Sequence, residues 1–577
     1  MKKKLLPALI VTGLIILVVI IMGITALINK YTPTKKTEDL KEYFNISSDD
    51  EAALIVDNDL SHYKAKIIDK KIYVDYKFVH DSLNSRFYWD ANENVLLYTT
   101  ASDIISAAAD SNSYSVTKQT NDFGYPIVKA TSDSALIALD YVKQYSNITF
   151  KSYDDPARIV ITSKWDEIDS ATVSKSTQVR VKGGIKSPIL KEVKKDDKIT
   201  ILDSGDKWDK VATEDGVIGY IKRKALSESK KTKLTNPDYE EETFTHIKKD
   251  KDICLAWNQV TSQSANSKVP QVISSTKGIN VMSPTWFYLN DNNGNLADIA
   301  SKDYVSYCHS QGIEVWGLFS NFENTDVDAA YVLTHTSTRT TLINQIMSAA
   351  FNYELDGVNI DFENITEAAY GDSYIEFIRE LAIKCHNNGI SLSVDVTVPA
   401  SFNKFFNRSD MANFADYIVI MGYDEHYKGS DAGSVSSIPW VTEGVESTLK
   451  EVPADQIILG MPFYTRIWEL TPKEDDDAVT DTEDQSKYTV ASQVYSMDAA
   501  AAQLATNNAT AALDEESGQN YAEWSVSNKL YKVWLEDSTS LEKRLKLVDD
   551  NKLAGAAFWK LGFENSSVWD TVIKYLD

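Results

Sequence analysis

The run Asp356-Gly357-Val358-Asn359-Ile360-Asp361-Phe362-Glu363 decides the fold of the C-terminal half of the chain. Strand alternation sets Val358, Ile360 and Phe362 on one face and Asn359, Asp361 and Glu363 on the other. The apolar face suits packing against helices. The polar face would point into a barrel, whose interior is ordinarily filled by Val, Ile and Leu, so a polar column there costs desolvation that packing alone does not offset. The column rises toward the C-terminal end of its strand, where such barrels keep their active sites.

Seven further strand-like segments flank this run: ICLAW (253–257), GINVMSP (278–284), EVWGLFS (314–320), SLSVDVTVP (391–399), DYIVIMGYD (416–424), QIILGMPFY (456–464) and AGAAFWKLG (554–562). Amphipathic segments separate most of them, which predicts a (β/α)8 TIM barrel over 251–577. The interval between the seventh and eighth strands is too long for one helix. Residues 467–535, with the acidic run Glu474 to Asp477, read as a small α+β insertion that walls one side of a cleft.

At 577 residues the chain exceeds one hydrophobic core. A run from Leu5 to Ile28 carries no charge and is long enough to cross a bilayer as a helix. Lys2, Lys3 and Lys4 precede it, so 1–30 reads as a single-pass anchor with its N-terminus cytoplasmic and everything later outside the cell membrane, on the wall side. A cleaved signal peptide is the competing reading. Residues 31–51 and 229–250 read as polar linkers. The stretch 52–166 alternates short strands with helix-like segments in two similar halves, an α+β module. From 171 to 228 closely spaced short strands predict a small β-barrel.

A formal net charge of −25 argues against nucleic acid, whose phosphates need a basic surface. Cys254, Cys308 and Cys385 have no zinc-type spacing, and the seven histidines are scattered, so neither a metal nor another cofactor is expected.

Three resemblances follow from these residues. The 52–166 segment is similar to the N-terminal domain of copper amine oxidases, which implies a stalk or wall-contact module without a copper site. VRV, KITIL, WDKV and GYI, in that order, resemble a bacterial Src-homology-3-like domain, which implies peptidoglycan binding with Trp208 and Tyr220 near the groove. The DGVNIDFE run resembles the signature of glycoside hydrolase family 18, the chitinase-like family, in its branch of spore and cell-wall hydrolases. SPTWFYLN (283–290), MGYDEHY (421–427), GMPFYTR (460–466) and AFWKLG (557–562) match in chain order.

The last resemblance implies a substrate-assisted retaining mechanism, in which the sugar's own acetamido oxygen attacks the anomeric carbon. Carried over by position, Glu363 is the acid and base, Asp361 orients the acetamido group, and Tyr423 hydrogen-bonds its carbonyl. Asn359, Asp424, Met421, Trp559, Trp286 and Tyr464 are the implied substrate-binding residues, with Trp559 as the floor under the sugar ring. Trp257, Phe287, Trp316 and Phe322 are further candidates for the cleft wall, and Arg466 for a carboxylate or acetamido group. The family more often has Asp at position 359. Asn there is expected to spare Asp361 a like charge, so that its pKa is not pushed upward, and to favour peptidoglycan over chitin. The implied activity is hydrolysis of β-1,4 bonds in peptidoglycan or a related N-acetylated polysaccharide. The alternatives are a chitinase and a non-catalytic, lectin-like wall protein.

Overall fold

A computed structural model describes residues 5–363, 365, 368–473 and 484–576. Lys2 to Lys4 and the acidic run from Glu474 to Asp477 lie outside the described residues. The chain falls into two compact units, one of residues up to Trp89 with Ala107–Tyr114 and Asn121–Glu241, the other of Asp90–Ser106, Ser115–Thr120 and everything from Glu242.

The second unit holds the barrel. Its eight parallel strands are β1 (Ile253–Asn258), β2 (Val281–Leu289), β3 (Glu314–Ser320), β4 (Gly357–Asp361), β5 (Ser391–Thr397), β6 (Tyr417–Met421), β7 (Ile457–Pro462) and β8 (Gly555–Trp559). Each pairs with the next, and β8 pairs with β1, so the sheet closes. These are the eight segments expected from the sequence. Strands buried on both faces need apolar residues of both parities, which is why most of the segments read as nearly continuous hydrophobic runs.

Inside, Ile253, Leu255, Val281, Trp316, Leu318, Tyr417, Val419, Ile458 and Ala557 fill the lumen. Outside, Val358, Ile360 and Phe362 join the layer between strands and helices, as alternation requires. Gly357 is glycine because the Trp316 ring leaves no room: a Cβ there would lie 2.5 Å from it. Asp356 secures the lower end of β4, where its Oδ2 accepts from Val315 N at 2.8 Å and lies 2.8 Å from His309 Nε2.

Between β7 and β8 a five-stranded antiparallel sheet is built from Tyr464–Pro472, Tyr488–Ser496, Ala512–Asp514, Gln519–Val526 and Lys529–Leu535, with a helix at Met497–Thr506. Two ion-paired buried groups, Arg544 and Glu536 at 2.6 Å, tie the end of this sheet to the helix Ser538–Asn551, and the same guanidinium bonds Ser436 O at 3.1 Å.

The first unit begins with the apolar helix Leu5–Tyr31. It also contains a seven-stranded sheet that includes Glu51–Val56, Asp59–Ile68 and Arg158–Thr162, and another that includes Thr177–Arg180, Trp208–Thr213 and Ile218–Lys222. Trp208 and Tyr220 flank Gly183 in the latter, both within 3.5 Å of where its Cβ would sit.

Two linker expectations are corrected. Within 31–51, Phe44 is fully buried in the core of this unit and Tyr43 Oη donates to Ile218 O at 2.6 Å, because the turn LKEYF carries apolar side chains amid its charges. At the start of 229–250, the strand Lys230–Lys233 pairs with Glu167–Thr172, since backbone pairing at a sheet edge needs no apolar side chain.

Candidate active site

β4 delivers the polar column. Asn359 is fully buried, Asp361 is 5% exposed at the end of the strand, and Glu363, two residues beyond, opens to a cleft of about 860 Å³ at the C-terminal mouth of the barrel. Asp361, Glu363, Met421, Tyr423, Asp424 and Trp559 all line it.

Asn359 lies beneath the cleft at the centre of a hydrogen-bond network. Its Oδ1 accepts from Trp257 Nε1 at 3.0 Å and Ser283 Oγ at 2.9 Å, and its Nδ2 donates to Ser393 Oγ at 3.0 Å and Asp395 Oδ1 at 2.7 Å. Asn321 Oδ1 accepts from the backbone N–H of Glu363 at 3.0 Å and so fixes the turn that follows β4.

Aromatic rings form one wall. Trp257 meets Trp559 edge-on at 5.9 Å and Tyr423 at 6.4 Å, and Tyr423 in turn meets Tyr464 at 6.3 Å. Tyr464 Oη donates to Asp424 Oδ1, so Tyr464 orients a cleft residue from behind. Arg466, the candidate for an anionic group, has its guanidinium 3.8 Å from Asp424 Oδ1.

The acids are strongly perturbed. Burial raises the Asp361 carboxyl well above its ordinary range, and negative Asp395, Glu363 and Glu323 push it the same way. Glu363 opens to the cleft on one side, yet the surrounding walls withdraw enough water to raise its carboxyl, and Asp424 and Glu323 add to the rise. Asp395 is also raised, chiefly by burial, with the Asn359 amide opposing. Burial and the nearby carboxylates keep the Tyr423 hydroxyl protonated.

Two expectations are corrected here. Asn at 359 does not keep Asp361 in the ordinary range, because burial dominates and a like charge arrives from the next strand, on Asp395. Trp286 does not reach the cleft. It is fully buried, its Nε1 donates to Asn266 Oδ1 at 2.8 Å, and its ring packs against Tyr304 at 4.9 Å. Along β2, Ser283 and Thr285 face inward, and alternation turns Trp286 toward the helices. Phe287 and Trp316 are likewise buried, against Phe319 and Tyr417, whereas Trp257 and Phe322 line the cleft.

Missed from the sequence were Asp395, Glu323, Glu425 and the rim aromatics Phe402, Tyr427 and Trp440. Asp395 had a signal: it shares inward parity with Ser393 on β5, another polar pair in a barrel strand. Glu323, Glu425 and Tyr427 sit on loops, Phe402 in the short helical turn Ser401–Phe406 and Trp440 in the first turn of the helix Ile438–Thr448, where strand periodicity says nothing.

An inward acidic column at the C-terminal mouth of a closed eight-stranded barrel, walled by aromatic rings, sets proton-carrying groups beside an apolar surface on which a sugar ring can pack. Residues 320–564 match the model of Glycosyl hydrolases family 18. The Uncharacterized glycosylase YvbX of Bacillus subtilis (strain 168) is 24% identical over 302 residues, which cover 49% of this chain and 81% of that protein. The Cortical fragment-lytic enzyme of the same strain is 24% identical over 287 residues, 48% of this chain and 63% of that protein. The match thus spans less than two thirds of the second relative. The C-terminal domain of a candidate chitinase from Desulfitobacterium hafniense DCB-2 superposes with a TM-score of 0.50 at 18% identity, over 57% of this chain and 100% of that one, a likeness of fold.

Proposed function

We propose that the protein hydrolyses β-1,4 bonds of cell-wall peptidoglycan on the N-acetylglucosamine side, by substrate-assisted retaining catalysis. The observation that carries this reading is the inequality of the two acids in the column: Glu363 opens to the cleft, whereas Asp361 is 5% exposed and favoured in its neutral form. A buried, protonated carboxyl is a poor nucleophile, so the attack on the anomeric carbon falls to the substrate's acetamido oxygen. Glu363, with its raised pKa, gives its proton to the departing glycosidic oxygen and afterwards takes one from the attacking water. Asp361 accepts the acetamido N–H, and the protonated Tyr423 hydroxyl donates to the acetamido carbonyl. Trp559 packs under the ring.

Peptidoglycan is favoured over chitin by the relatives named for cortical-fragment lysis and by Asn359. The small sheet with Trp208 and Tyr220 is assigned to wall contact, and Leu5–Tyr31 to a membrane anchor that leaves the barrel outside the cytoplasm. The test is incubation of the full chain in detergent, and of Glu363→Gln, with purified peptidoglycan and with chitin oligomers, and mass spectrometry of the new reducing ends. New N-acetylglucosamine ends from peptidoglycan, absent with the variant, are expected. Product from chitin alone overturns the wall assignment, and equal product from both proteins removes Glu363 from the mechanism.

A further inference from the structure

Nothing in the barrel motif points to Asp395. β5 runs parallel to β4 with Asn359 opposite Ser393 and Ile360 opposite Val394. One step further in the same register sets Asp361 beside Asp395, on strands about 4.8 Å apart. Both side chains point inward, with exposures of 5% and 4%.

The Asn359 amide anchors this arrangement. Its two donors are occupied by Ser393 Oγ and Asp395 Oδ1, and its oxygen by Trp257 Nε1 and Ser283 Oγ. It therefore holds Asp395 and offers nothing to Asp361, whose Oδ1 is buried with no hydrogen-bond partner among the described residues. The titratable groups that bear on the pair are Glu363 beyond β4, Glu323 beyond β3, Tyr423 beyond β6 and Tyr374 on the helix Ala368–His386. None of them is a cation. Two buried carboxyls side by side with no counter-charge do not both ionise, so the pair titrates as a unit.

We propose that Asp395 is a positioning residue that holds a single proton jointly with Asp361. In the resting site the proton keeps the pair singly charged. As positive charge develops on the sugar, the proton moves from Asp361 to Asp395, and the negative charge appears on Asp361 without exchange with solvent. This role toward the substrate rests on the hydrolase reading above; the shared proton itself does not.

The test uses the full chain in detergent and Asp395→Asn, whose amide oxygen can still accept from Asn359. In infrared difference spectra at pH 7, unaltered protein minus variant, the carbonyl stretch of the carboxylic acid that holds the proton should be displaced, because in the variant burial leaves that proton on Asp361 alone. Spectra with no displaced carbonyl-stretch band overturn the shared proton, whatever the activity. On an N-acetylated glycan, removal of a negative neighbour eases deprotonation of the remaining acids, so both limbs of the kcat/KM profile should move toward acid by about one pH unit. kcat should fall by about 10- to 100-fold with KM changed less than about threefold. Limbs that stay in place while kcat falls overturn the positioning role in favour of a structural one. The double variant Asn359→Asp with Asp395→Asn returns a carboxyl to the network from β4 and should recover about tenfold of the lost kcat; no recovery shows that the site needs the carboxyl on β5. If the unaltered protein cuts no glycan, the hydrolase reading fails, and the infrared band still decides the pair.

Discussion

Asp361 ends β4 and Glu363 stands two residues beyond it, and on the proposed function the difference in how far each opens to the cleft sets their chemistry. Glu363→Gln should lower kcat by about 10²- to 10⁴-fold with little change in KM, measured on the released reducing ends. A general acid works only while protonated. Because the Glu363 carboxyl is raised by burial and by Asp424 and Glu323, the alkaline limb of the kcat/KM profile should lie above the range of an ordinary glutamate. Trp559 and Trp286 form a control pair: Trp286→Ala should destabilise the barrel by about 3–5 kcal/mol and leave the KM of the folded protein unchanged, whereas Trp559→Ala should raise KM. The sequence made Asn359, Asp361 and Glu363 legible because strand parity carries them. It left the pairing of Asp395 with Asp361 unread: parity with Ser393 marks Asp395 as inward, but which strands are neighbours is not recorded in that pattern.

At the scale of elements, β4 is held at its lower end by sterics and charge. Gly357→Ala would push a methyl group into the Trp316 ring, and should cost about 1–3 kcal/mol in urea unfolding with no shift in the pH profile. The inserted sheet depends on a buried ion pair. Arg544→Leu strands Glu536, which is 3% exposed, and should destabilise by about 3–5 kcal/mol. The barrel strands were readable as eight runs buried on both faces. The strand Lys230–Lys233 was not, because four polar residues at a sheet edge have no period that separates them from a linker.

For the whole molecule, the raised acids make stability depend on pH with a definite sign. Asp361, Asp395 and Glu363 all have folded pKa values above their unfolded ones, so their contribution is present below the ordinary carboxylate range and is lost as pH rises through the folded values. Asp395→Asn removes part of that loss, and its gain in Tm over the unaltered protein should be larger at pH 8 than at pH 4, by differential scanning calorimetry. An equal gain at both pH values would sink the idea that the site stores this cost. The sequence by itself determined the apolar helix Leu5–Tyr31, the eight strands and the inward acidic column, because hydrophobic run length and a period of two are properties of neighbouring residues. Only the tertiary structure decided that Trp286 faces the helices, that Phe44 belongs to a core, and that the second carboxyl beside Asp361 comes from β5. Those outcomes depend on which strands lie side by side, and no local pattern records that.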